Sequence, residues 1–180
     1  MIVINMRMKN YFYILPIFLA FSCMQPNEEN LWKLNNISII DTEGYCRDVY
    51  VSGDSVFVAA GQAGIQLWDI STITSPSLIW KKSLSDLGVS KEISQVVYKS
   101  SIKQLFALEI NERPIHIDLS TPDSINILGQ FSSEKTKEIR VITNNKNKFS
   151  VFAADNDDGL KLSTFEFDSL YNLWFNVSGS

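Results

Sequence analysis

Histidine and cysteine are nearly absent: one and two, respectively, in 180 residues. With Cys23 assigned to lipid, as argued below, one His and one spare Cys remain, and no zinc site of the usual three or four ligands is visible. No HExxH, no nucleophile elbow and no glycine-rich phosphate loop is present. Serine, histidine and aspartate all occur, but no spacing pairs them for nucleophilic catalysis. Basic residues are outnumbered, 16 Lys and Arg against 20 Asp and Glu, for a net charge of −4. Nucleic acid is therefore not an expected partner. No apolar run reaches the roughly 20 residues that a membrane-spanning helix needs. What remains is ordinary for a globular chain, 45% hydrophobic and 20% charged, with room for one domain. Aromatics, at 12%, are somewhat rich. The expectation is a protein that is not an enzyme and needs no cofactor or metal.

The first residues are set apart from the fold. Arg7 and Lys9 precede an apolar stretch, Tyr11 to Phe21, interrupted by Pro16. Ser22-Cys23 follows at once. A small residue directly before Cys resembles the lipobox of bacterial lipoproteins, in which cleavage leaves the Cys lipidated. Leu19 stands one place further from the Cys than in that pattern, and Phe21 is bulky for its position. The resemblance implies a signal peptide over residues 1–22, lipid attachment such as palmitate at Cys23, and a tether over 23–30. The membrane is then a partner through lipid on Cys23, and the location is the cell envelope, at the outer membrane on its periplasmic or surface face. A simple cleaved secretory peptide and an uncleaved anchor are the alternatives. Removing 1–22 takes away Arg7 and Lys9 and no acid, so lipid rather than charge would hold the domain to the membrane. With Cys23 lipidated, Cys46 has no disulfide partner, and its apolar neighbours predict a buried thiol.

Residues 31–180 predict an all-β fold. Gly44 to Ile70 reads as three strands, Arg47–Val51, Ser55–Ala59 and Gly64–Asp69, punctuated by Gly-containing turns. Ser77–Lys82 supplies a fourth, and Ile37–Ile40 reads as a leading edge strand. The pattern repeats. Phe57 and Asp69 recur as Phe106 and Asp118 at one shared offset, and Phe57 and Gly64-Ile65 recur as Phe152 and Gly159-Leu160 at another. The repeat length is roughly 46–49 residues, the size of a propeller blade. The units span about 44–84, 94–131 and 138–180. The hairpin at Asn144–Lys148 reads as longer than the one at Gly53.

Arg47 to Gly61, then Ala63 to Ser71, then Pro76, resembles the LVIVD repeat of exported bacterial proteins. The likeness continues over Gln95–Pro122 and thins over Ile139–Phe165, where Thr164 replaces the repeat's Asp. The resemblance implies antiparallel four-stranded meanders in a partial or small β-propeller of about three blades, and it implies no activity. Closed propellers have four to eight blades, so a truncated or naturally shortened propeller is expected. Three functions remain open: an anchored binding or scaffold module taking a protein or glycan ligand, a truncated propeller with little function of its own, and a propeller enzyme.

Few residues invite chemistry. His116 aligns with Leu67 and Leu162, so it reads as a satisfied core residue. Asp69 and Asp118 share one register and each precedes a Ser, which suits an Asx turn after the strand. Asp155, Asp157 and Asp158 cluster before Gly159 and form a weak calcium candidate. They lack the spacing of an EF-type loop and occupy the place of a plain hairpin. Phe57, Phe106 and Phe152 are expected at equivalent buried positions.

Overall fold

The computed structural model describes residues 36–121, 124–131 and 133–177. The signal stretch, Cys23, the tether and Pro122 lie outside the described residues. The chain divides into two units, Met1–Asn36 and Ile37–Ser180, and the described strands all belong to the second.

The second unit contains twelve strands and, among the described residues, no helix. They form three four-stranded antiparallel meanders. Sheet 1 is β1 (Asp48–Ser52), β2 (Ser55–Ala59), β3 (Ile65–Asp69) and β4 (Ser77–Lys82). Sheet 2 is β5 (Ile93–Lys99), β6 (Gln104–Glu109), β7 (Pro114–Thr121) and β8 (Ser124–Gln130). Sheet 3 is β9 (Thr136–Asn145), β10 (Lys148–Asp155), β11 (Gly159–Asp168) and β12 (Leu173–Asn176). Runs rich in Val, Ile and Phe form the strands, and short turns with Gly or Asn at positive φ join them.

The sheets stack face to face, with β1 against β5 and β5 against β9. Between sheets 1 and 2 lies a core that includes Phe57, Ile65, Ile93, Leu105 and Ile117. Between sheets 2 and 3 lies a second, including Phe106, Phe131, Ile139, Phe149 and Val151. Sheet 2 is thus covered on both faces, and every residue of β6 is buried. Among the described strands, sheets 1 and 3 each pack on sheet 2 and the array does not close; the outer face of sheet 1 holds a third small cluster, Val56, Val58 and Ala60.

Polar residues stitch the first strands together in register. Asp48 Oδ2 accepts from the backbone N–H of Val96 at 3.0 Å. At the equivalent place in sheet 2, Gln95 accepts from Ile139 N–H at 2.8 Å and donates to the Ile139 carbonyl at 3.2 Å. Arg47 adds a two-pronged contact to Glu92, both bonds 2.9 Å, across the first seam.

Three expectations need correction. Ile37–Ile40 is not a strand: the segment has no ladder partner, and Ile37 and Ile39 are exposed. Cys46 is exposed rather than buried, because β1 starts two residues later and leaves it in the preceding loop. The third hairpin is no longer than the first: β9 runs on to Asn145, with a bulge next to the turn, leaving only Lys146 and Asn147 as loop.

Candidate functional site

The aligned phenylalanines hold one place in the three sheets. Phe57 pairs across the ladders with Tyr50 and Leu67, Phe106 with Val97 and His116, and Phe152 with Arg140 and Leu162. Phe57 and Phe106 are buried, each facing the next sheet. Phe152 is only half-buried, and among the described residues no further sheet covers its face of sheet 3.

The aspartates close turns. Asp69 Oδ1 accepts from Ser71 N–H at 2.8 Å, which holds its carboxyl below the usual carboxylate range. Asp118 Oδ1 accepts from Ser120 N–H at 2.9 Å and from Gln104 Nε2 at 2.8 Å. In sheet 3, Thr164 stands at this register and bonds the Ser150 hydroxyl at 3.0 Å. β11 continues past it to Asp168, which accepts from Leu170 N–H at 2.8 Å and so makes the same turn. The signal for Asp168 lay in the spacing from Asp118, which nearly matches that from Asp69 to Asp118.

The acidic cluster is a loop clamp. Asp155 is buried and accepts from the Ser133 hydroxyl at 2.6 Å and from the N–H groups of Glu134, Asp157 and Asp158. The Ser133 hydroxyl and these amides hold its carboxyl far below the usual range. Glu109, at the matching place in sheet 2, clamps the preceding loop likewise through the N–H groups of Ser90 and Lys91. Asp157 pairs with Lys135 at 2.5 Å and Asp158 with Lys161 at 2.6 Å. The cluster's oxygens are therefore committed to the chain's own donors, and no group of acids, His or Cys among the described residues is arranged to hold a metal ion.

The distinctive chemistry lies elsewhere, at the seam of sheets 2 and 3. Two adjoining chambers share the walls Leu128, Leu173 and Trp174. The outer one, about 370 Å3, has polar walls that include Gln104, Asp118, Ser120, Asn126, Lys146 and Asn147. The β6–β7 register brings Gln104 opposite Asp118, and the short β9–β10 turn delivers Lys146. The inner one, about 120 Å3, is lined by His116, Phe131, Phe165 and Trp174.

His116 is buried, as its apolar register implies, but it is not satisfied. Its ring stacks on Phe106 (4.9 Å between centroids, 6° between planes) and meets Phe149 edge-on at 5.3 Å. Burial pushes its pKa down to about 4, against the opposing pull of Asp118, so the imidazole is neutral at pH 7. Its Nε2 has no hydrogen-bond partner. Among the described residues, one other buried side-chain polar atom is unpartnered, Gln104 Oε1. The residues that carry them, Gln104 and His116, line the two adjoining chambers, one each. The cleft escaped sequence reading because its walls come from turns and strand ends of two different repeats.

No family model and no curated protein matches the chain. Among solved structures, it is similar to Saccharomyces cerevisiae Sqt1, with a TM-score of 0.51 at 11% identity. The match covers 75% of this chain and 35% of that one. Likeness at such low identity shows a shared β-rich fold and carries no function.

Proposed function

We propose that the chain is a propeller-type binding module, tethered to the outer membrane by lipid on Cys23, whose ligand sits in the cleft between the second and third sheets. The observation that carries the site is the pair of unpartnered polar atoms. Buried polar groups are almost always hydrogen-bonded, and leaving one unmade costs about 1–3 kcal/mol. Two such orphans on residues that line one cleft are the pattern of a site that a ligand completes. The three meanders and the LVIVD-like repeat support the propeller reading. The positive start, short apolar stretch and Ser22-Cys23 support the anchor.

Two experiments test the parts separately. A library of small polar fragments is screened by ligand-observed NMR against the full chain and against Leu128→Trp, which fills the wall common to both chambers. Hits that Leu128→Trp abolishes are expected; hits indifferent to it place binding elsewhere and defeat the cleft. For the anchor, wild type and Cys23→Ala are partitioned into detergent. Wild type is expected in the detergent phase and the variant in water, and equal partitioning rules out lipid on Cys23.

A further inference from the structure

We propose that the cleft selects a small molecule with one hydroxylated aromatic ring and a short anionic tail. The inference rests on the binding-module reading and names its ligand class.

The inner chamber sets the ring. Its volume, about 120 Å3, is near that of an engineered apolar cavity known to hold a benzene, roughly 150 Å3. Phe131, Phe165 and Trp174 offer faces and edges on which a planar ring packs better than an aliphatic one. His116 sets the substituent. A neutral imidazole nitrogen can accept from, or donate to, one hydroxyl.

The outer chamber sets the tail. Lys146 is exposed on the β9–β10 turn, and among the described residues no carboxylate pairs with it. Asp118 Oδ1 accepts from Gln104 Nε2 and from Ser120, neutral donors that orient the carboxylate and leave its charge in place. Lys103 also lines this chamber and has no carboxylate partner among the described residues, so two lysines face the single carboxylate of Asp118 and the chamber attracts an anion. The amides of Asn126 and Asn147 offer further donors.

Nε2 of His116 is closed off from solvent by its aromatic neighbours, so binding must turn one of them aside. Trp174, on the four-residue edge strand β12, is one wall of the inner chamber. Its fluorescence should report occupancy.

The test uses 4-hydroxyphenylacetate, phenylacetate and 4-hydroxybenzyl alcohol, titrated at pH 7 into the full chain in detergent. Calorimetry and tryptophan emission are read together. 4-Hydroxyphenylacetate should bind tightest. Loss of the ring hydroxyl should weaken binding about tenfold or more, because the buried nitrogen is left unpaired again. Loss of the carboxylate should weaken it about three- to tenfold, as expected for a partly exposed charge contact. His116→Leu should erase the first difference and the double variant Lys103→Met/Lys146→Met the second. Leucine occupies the matching place in both other sheets, so His116→Leu should fold, and unchanged far-UV circular dichroism verifies it. Equal binding of 4-hydroxyphenylacetate and phenylacetate, or a hydroxyl preference that survives His116→Leu, overturns the inference. If no ring compound binds while fragments still compete for the cleft, the ligand class is wrong and the binding-module reading stands. If no fragment binds the cleft either, both fail.

Discussion

His116 holds the position that Leu67 and Leu162 hold in the flanking sheets, as cross-strand partner of the central phenylalanine. Its depressed pKa makes it a pH-dependent liability. The unfolded chain takes up a proton near pH 6.5, whereas the folded chain resists until about pH 4. Stability is therefore full above about pH 6.5 and falls as pH drops from there toward 4, by up to about 3 kcal/mol. His116→Leu should lower this dependence. Urea midpoints at pH 7 and pH 4.5 should separate markedly for wild type and much less for the variant. An equal loss in both would mean that the histidine is not the titrating group. The sequence made His116 legible as a core residue through its register alone. Its missing partner was not legible, since that depends on Phe106, Phe131, Phe149 and Phe165 packing round it from other strands and loops.

At the scale of strands and turns, Gly64 and Gly159 stand at matching places, each at positive φ (+85° and +80°). Their surroundings differ. A Cβ on Gly64 would lie 2.1 Å from the Lys82 carbonyl oxygen, inside the β3–β4 pairing, whereas a Cβ on Gly159 would meet nothing within 4 Å. Gly159→Ala should cost only the left-handed backbone penalty, about 1 kcal/mol. Gly64→Ala adds a backbone clash and should cost at least about 2–3 kcal/mol. Urea denaturation of the two variants settles the order, and equal losses would contradict the close approach of β4. The meander itself was readable because turn glycines bracket β-branched runs: β2 and β4 start and stop where the sequence places them. Ile37–Ile40 misled because β-branched residues show preference for a sheet but not whether a neighbouring strand exists to pair with. Thr164 hid the third turn for a related reason: β11 outruns β3 and moves the turn-closing carboxylate to Asp168.

In the whole molecule, three equivalent sheets stack so that the middle one is enclosed. The aligned phenylalanines expressed that order in sequence, though not how far each is covered: Phe57 is 3% exposed, Phe106 fully buried, and Phe152 half-buried on the open face of sheet 3. That face also exposes Ile142, Leu160, Leu162 and Phe175. Phe106 sits in the sheet that packs on both of the others, and it packs on His116, Phe131 and Phe149. Cutting a buried Phe to Ala costs roughly 3–5 kcal/mol, while a half-covered ring should cost nearer 1–2 kcal/mol. Against a typical domain stability of about 5–15 kcal/mol, the difference is easily resolved. Equilibrium urea unfolding of Phe57→Ala, Phe106→Ala and Phe152→Ala therefore probes the stacking at its three levels of cover. Phe106→Ala should lose most, Phe57→Ala somewhat less and Phe152→Ala least. A Phe106→Ala chain as stable as wild type, or a Phe152→Ala chain that loses more than Phe106→Ala, would mean that the three sheets do not stack in this order.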